Sequence, residues 1–147
     1  MNDNINAFIA KQTCGSLCCV DETGMPYCFS FFYAFNSTEG LLYYKSSDYT
    51  RHSTIIKANP VVAGTILPDK LNVLQVKGVQ FEGVILPQDH PASKSASTHY
   101  YKKHPMAIAM PGDIWTIQVN SIKFTDNSLG FGKKLTWSRV ELSSDGK

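Results

Sequence analysis

LYYKSSDYTRHSTIIKANPVV, residues Leu42 to Val62, places a strand, a helix and a second strand in immediate succession. Aromatic and branched residues from Leu41 to Ser46 read as the strand. The polar run Ser47-Asp48-Tyr49-Thr50 is a helix start signal, Ile55 and Ile56 give the helix an apolar side, and Asn59-Pro60 stops it before Val61 resumes β structure. The helix has about two and a half turns. Arg51 and His52 then fall in its first turn, where unpaired backbone N–H groups and the helix dipole already attract negative charge. A cation there opposes the dipole by about 0.3–1 kcal/mol. A phosphate shared among Ser46, Thr50, Arg51 and His52 accounts for the arrangement, because hydroxyls, amides and a guanidinium all donate to it. A plainer account also stands: Arg51 pairs with Asp48 at i,i+3 and Thr50 only caps the helix. Spacing alone leaves both open.

Outward from this segment, Ile5, Phe8 and Ile9 repeat at helical spacing after Asn2, Asp3 and Asn4, so residues 3 to 12 read as a short helix lying over the sheet. Leu17 to Val20, the turn Asp21-Glu22-Thr23-Gly24, Pro26 to Phe35, the turn Asn36 to Gly40 and Leu41 to Ser46 read as an antiparallel meander. Downstream, Val61 to Leu67 is a strand. Val73 to Leu86 reads as one long strand in which Val79, Phe81 and Gly83 alternate with Gln80 and Glu82. A helix is expected from Asp89 to Lys103, ended by His104-Pro105. Trp115, Ile117 and Val119 alternate with polar residues in a strand from 114 to 125, and Phe131 to Leu142 is the last strand. About seven strands with three helices between hairpins indicate a β-rich α+β fold or a partly open barrel.

With 147 residues the chain is expected to form one domain, 1–147. Fourteen Lys and Arg against twelve Asp and Glu give a net charge of +2, too little to hold nucleic acid through its backbone. At 43% hydrophobic and 18% charged residues the composition is globular. The opening MNDNINAFIAKQTCG lacks the basic start and long apolar core of a secretory signal, and no apolar run approaches the roughly 20 residues of a membrane span. Cys14, Cys18, Cys19 and Cys28 are read as free thiols of a cytoplasmic protein, since a chain this long folds without staples. Cys14 and Cys18 lie on one side of a strand too far apart to bridge, and Cys19 and Cys28 are placed to meet across the first hairpin. The cysteines show no C-x-x-C step and no neighbouring His, so no metal is expected.

The order of elements over residues 10 to 125 resembles the FMN-binding split-barrel family related to pyridoxamine 5′-phosphate oxidase. The V-x-F-x-G pattern from Val79 to Gly83 and the Asn59-Pro60 stop carry the likeness, and KFTDNSLGFGKK, Lys123 to Lys134, looks like a hallmark of a small uncharacterised cytoplasmic subgroup. The resemblance implies a split β-barrel of about seven mainly antiparallel strands with short helices around it, and FMN as cofactor. It carries the family's strand-end hydroxyl to Ser46 and its Ser-Arg-Lys phosphate triad to Thr50, Arg51 and His52. The oxidase's basic flavin contacts fall near Cys28 and Tyr33, and a glutamine falls at Gly78, so these are departures. Its C-terminal Arg-x-His has no counterpart after Trp115. Oxidation of pyridoxamine phosphate itself is therefore not implied.

Lys133 and Lys134 are further candidates, because positive charge near a flavin ring stabilises its reduced, anionic form; solvated surface lysines are the plainer reading. Phe31, Phe32, Tyr43, Tyr44, Tyr100 and Tyr101 are candidate walls for a ring, although aromatics in such elements more often fill a core. Gly130 and Gly132 form no Rossmann or P-loop fingerprint. His90, His99 and His104 read as surface or capping residues, and Asp113, Asp126 and Glu82 form no acid/base pair. The expected function is an FMN-dependent oxidoreductase acting on a small substrate, as a homodimer whose interface completes the flavin cleft. The alternatives are a flavin- or related-cofactor-binding protein without turnover, and an interaction domain with a vestigial pocket.

Overall fold

Asn2 begins the first element by accepting the Asn4 amide on its side chain at 2.8 Å, and α1 (Asp3–Lys11) follows. A computed structural model describes residues 1–130 and 133–140. After α1 come β1 (Cys14–Val20), β2 (Pro26–Asn36), β3 (Leu41–Ser46), α2 (Arg51–Ala58), β4 (Val61–Ile66), β5 (Lys77–Leu86), α3 (Ala96–Lys103), β6 (Asp113–Asp126) and β7 (Lys134–Ser138). The strands run antiparallel in the order β3-β2-β1-β4-β5-β6-β7. A further pairing of β3 with β6 closes the first six into a barrel and leaves β7 attached to β6. The split-barrel α+β architecture expected from the sequence is the one observed.

Alternation along the strands sends Leu17, Phe31, Tyr33, Leu42, Tyr44, Val62, Phe81, Trp115, Ile117 and Phe124 into the barrel. α1 does not lie over the sheet as expected. It contributes Ile5, Phe8 and Ile9 to that same interior cluster, with Phe8 5.1 Å from Phe124 and the Ile9 carbonyl accepting from the Tyr33 hydroxyl at 2.7 Å. α2 works at the opposite end, where Ile56 joins the core and His52 meets Phe29. α3 covers the outside, packing Ala96 and Tyr100 on Ala34, Leu41, Tyr43 and Ile114. β1 and β4 approach closely at Gly64, where an added Cβ would lie 2.3 Å from the Phe81 ring and 2.6 Å from the Ser16 carbonyl oxygen.

Two expected elements are shorter than their sequence suggests. β5 begins at Lys77, not Val73, because Val73 and Leu74 stand 95% and 84% exposed in a turn in which Asn72 accepts the Leu74 amide on its side chain and the Gln75 amide on its carbonyl. β-branched residues without a neighbouring strand have no surface to pack on. The helix expected from 89 to 103 is broken: Pro91–Ser93 is a 3-10 turn, capped by His90 Nδ1 accepting from the Ala92 amide, and α3 starts only at Ala96. The Ser93 hydroxyl donates to the Pro87 carbonyl, the kind of local bond that competes with a helix. Of the last expected strand, Lys134–Ser138 is observed, and its ends at 131–132 and 141–142 lie outside the described residues.

Candidate functional site

At the end of β3 the chain turns into α2, and the side chains there are held by a short relay of hydrogen bonds. Thr50 is the N-cap, its Oγ1 accepting the Ser53 amide at 3.2 Å and donating to the Ser53 hydroxyl at 2.7 Å. Ser53 Oγ in turn donates to the Ser47 carbonyl. Ser46 Oγ and His52 Nε2 are 2.7 Å apart, and the His52 ring lies flat on Phe29, centroids 3.7 Å apart. The Ser46 carbonyl accepts from the Trp115 indole. Burial lowers the His52 pKa, so near neutral pH the ring is an uncharged partner for the Ser46 hydroxyl.

Arg51 turns the other way. Its guanidinium stacks over Tyr27 at 4.9 Å and stands 3.9 Å from Asp21 in the turn between β1 and β2. Asp21 is held below the usual carboxylate range by the Thr23 hydroxyl and then by the Met25 amide, with Arg51 adding to them. The expected i,i+3 alternative, Arg51 with Asp48, is not the one formed: Asp48 pairs with Lys57. Ser46 and His52 are thus brought together, Thr50 is adjacent and occupied as a cap, and Arg51 is beside them but engaged with the neighbouring hairpin.

Against a phosphate this donor set fits. The first turn of α2 contains no acid, its Arg51 and His52 amides have no protein acceptor among the described residues, and the Arg51 side chain is 64% exposed, held by a loose ion pair and by stacking on Tyr27. Turning Arg51 from Asp21 and opening the Ser46 to His52 bond would present a cation, two amides and a hydroxyl to one anion.

Next to this strand end lies a cleft of about 640 Å³ with Ser46 and Ser47 at its rim and Phe32, Tyr100, Met106 and Met110 among its walls. Its basic side chains are already used. Lys45 Nζ donates to the Ala107 and Met110 carbonyls and to the Tyr101 hydroxyl, Lys103 to the Gln12 carbonyl, and His104 Nε2 is 2.7 Å from the Tyr33 carbonyl. Of the candidate ring walls only Phe32 is widely exposed, at 60%; Phe31, Tyr43 and Tyr44 are core. Tyr33, which the family comparison set at a flavin contact, is fully buried inside the barrel. Lys133 and Lys134 are exposed at the start of β7. Lys134 sits opposite Thr125 of β6, whereas Ser46 sits opposite Asp113, so within one chain they lie at opposite ends of a bulged strand, twelve residues and at most about 40 Å apart.

Sequence reasoning missed Asp21, Tyr27, Phe29 and Trp115 as neighbours of the site. Asp21 reaches Arg51 because α2 packs against the β1–β2 hairpin, a contact between distant segments that leaves no local signal. His90 accepts the Ala92 amide, and His99 meets the Ser95 carbonyl and packs its ring on Tyr43, centroids 5.2 Å apart. The described residues contain no group of three metal-ligating side chains and no helix long and apolar enough to cross a membrane.

No family model matches the chain. Similar proteins include UPF0306 protein plu4501 of Photorhabdus laumondii, 36% identical over 135 residues covering 92% of this chain and 94% of the relative. Another is UPF0306 protein YhbP of Salmonella schwarzengrund, 39% identical over 135 residues, covering 92% and 91%. Solved structures with the same fold include a heme-binding protein from Mycobacterium smegmatis, TM-score 0.74 and 16% identity, covering 89% of this chain and 55% of that one. An FAD-binding protein from Mesorhizobium loti aligns with TM-score 0.66, 19% identity and coverage of 86% and 95%. A Clostridium acetobutylicum protein related to general stress protein 26, of the pyridoxinephosphate oxidase family, aligns with TM-score 0.64, 14% identity and 92% of both chains.

Proposed function

The chain belongs to the UPF0306 family, and from that premise we propose that it binds FMN at the start of α2 and is an FMN-dependent oxidoreductase acting on a small substrate. The observation that carries this reading is the acid-free first turn of α2, with Arg51 and two unpaired amides beside the Ser46 hydroxyl. The shared fold adds support, because it is also the fold of an FAD-binding protein and of a member of the pyridoxinephosphate oxidase family. In this reading Ser46, Arg51, His52 and the Thr50-capped turn bind the phosphate, and the cleft beside Ser46 receives the ring. A bound flavin supplies hydride acceptance and release, and the chain supplies binding, orientation and charge.

Exposed Phe32, Met106 and Met110 around the cleft are apolar surface that a second copy of the chain would cover. We therefore propose a homodimer, with residues 1–147 as one flavin-binding unit per copy. A partner's surface is also the route by which Lys133 and Lys134 reach a ring that they cannot approach in their own chain. Four reduced cysteines suit the cytoplasm.

One observation favours binding without turnover. Lys45, Lys103 and His104 of the cleft are tied to backbone carbonyls, and burial raises the pKa of Tyr100, its remaining titratable group, so these groups are poorly placed to move a proton. The visible spectrum of freshly purified protein, followed by release and identification of the bound compound, tests the cofactor. NADH- or NADPH-dependent turnover under air then separates enzyme from carrier. A colourless protein that ignores added FMN would refute both.

A further inference from the structure

The β1–β2 hairpin carries a feature that cofactor binding does not use. Its register sets Cys18 directly opposite Cys28, not Cys19 opposite Cys28 as counting along the hairpin suggests; Cys19 lies opposite Tyr27 and is buried in the barrel. The phase of the ladder is fixed at both ends, by the Asp21 amide donating to the Met25 carbonyl and the Tyr33 amide to the Thr13 carbonyl. Hydrogen-bonded pairs therefore fall on the odd residues of β1, and Cys18 with Cys28 is a non-hydrogen-bonded pair. At such a pair the Cα atoms stand about 4.5 Å apart with the side chains at their closest, within the roughly 4.4–6.8 Å that a disulfide spans.

Both thiols point away from the core. Cys28 is exposed and Cys18 half-buried, in an open groove of about 600 Å³ on the outer face of the sheet. On the other side of Cys18 stands Ala63 of β4, whose methyl group leaves the approach clear. We propose that Cys18 and Cys28 form a reversible intrachain disulfide, made by exchange with a low-molecular-weight disulfide that enters this groove.

The step balances as two exchanges. Cys28, the more exposed sulfur, attacks one sulfur of the small disulfide; a Cys28 mixed disulfide forms, and the first small thiol leaves with the Cys28 proton. Cys18 then attacks the Cys28 sulfur, and the second small thiol leaves with the Cys18 proton. Two cysteine thiols are oxidised by two electrons, and one small disulfide is reduced to two thiols. The order follows from the environments: Cys28 is the more exposed sulfur, and the Cys28 side chain and then burial push the Cys18 thiol above its ordinary pKa, which makes Cys18 the poorer first nucleophile and leaves it the second attack, where its place opposite Cys28 makes the step intramolecular. Cys14 lies four residues along β1, about 13 Å away, and cannot compete.

The test uses the full reduced chain and oxidised glutathione as the probe, with alkylation and unreduced peptide mass mapping. The expected result, with alkylation carried out after unfolding in denaturant, is a Cys18–Cys28 link, a mass loss of two hydrogen atoms, alkylation of Cys14 and Cys19, and full reversal by dithiothreitol. Cys18→Ser should instead retain glutathione on Cys28. A wild-type chain that keeps the Cys28 adduct, links two copies, joins another cysteine pair or leaves both thiols alkylatable would overturn the proposal.

Discussion

Arg51→Ala bears directly on the anion site, and its size follows from how Arg51 is held. The Arg51 side chain is 64% exposed, 3.9 Å from Asp21 and stacked on Tyr27, exposed contacts worth about 1 kcal/mol or less each, so it gives up little by turning to a phosphate. A charge-assisted contact to an anion is worth roughly 1.5–3 kcal/mol. Water screens an exposed cation, which places Arg51 at the lower end, about 1.5–2 kcal/mol or about 10- to 30-fold in Kd at 1.4 kcal/mol per decade. Riboflavin has no phosphate. It should bind the unmodified protein weakly and hardly notice the substitution. Fluorescence quenching titrations of FMN and riboflavin against both proteins give the four constants, and a collapsed pocket would harm both ligands alike. Asp21→Asn supplies the opposite sign: it releases Arg51, so FMN should bind as tightly or more tightly. Equal losses for the two ligands, no loss for FMN, or weaker FMN binding by Asp21→Asn would refute the reasoning.

His52 gives a pH dependence. Its pKa is lowered by burial in the native state, so the unfolded chain binds the proton more readily; the stability contribution is full above about 6.5 and is lost as pH falls through the lower native value. Urea midpoints should fall between pH 7.5 and pH 5 more in the wild type than in His52→Gln, and parallel profiles would argue against it. Gly64→Ala forces a Cβ onto the Phe81 ring and the Ser16 carbonyl; an overpacking cost of about 1–3 kcal/mol should lower Tm by roughly 3–10 °C by calorimetry. Light scattering on a sizing column should report about twice the 16.3 kDa chain mass, and a concentration-independent monomer that holds FMN would defeat the dimer.

How much of this was legible in the sequence depends on whether a feature is local. The turn Asp21 to Gly24, the Thr50 cap and the Asn59-Pro60 stop are signals within a few residues of what they control, and each element they bound is present. Val73 to Val76 has strand-forming residues but no partner strand, because β4 ends at Ile66 opposite Val79 and β6 ends at Asp126 opposite Lys77, leaving only Asn127 to bond the Val76 and Leu74 carbonyls. Propensity cannot reveal that missing neighbour. Nor can it reveal closure: the β3–β6 pairing that turns a sheet into a barrel joins Leu41 to Gln118, two residues whose own surroundings are ordinary strand.

The site divides along the same line. Ser46 and His52 are six residues apart across one strand-to-helix turn, so the sequence reaches their contact through the helix start alone. The same local reasoning assigns Arg51 to that anion, yet its carboxylate partner is Asp21, thirty residues upstream in the hairpin turn against which α2 packs. The cysteines show how finely register decides such matters. A shift of one residue exchanges the faces of a strand, and that single step separates an inert Cys19, donating its Sγ to the Tyr27 carbonyl inside the barrel, from a Cys18 that faces Cys28 in the open. The chemistry of this hairpin is therefore set by the pairing rather than by composition, and substituting Cys19 should leave the Cys18–Cys28 link in place while substituting either partner abolishes that link.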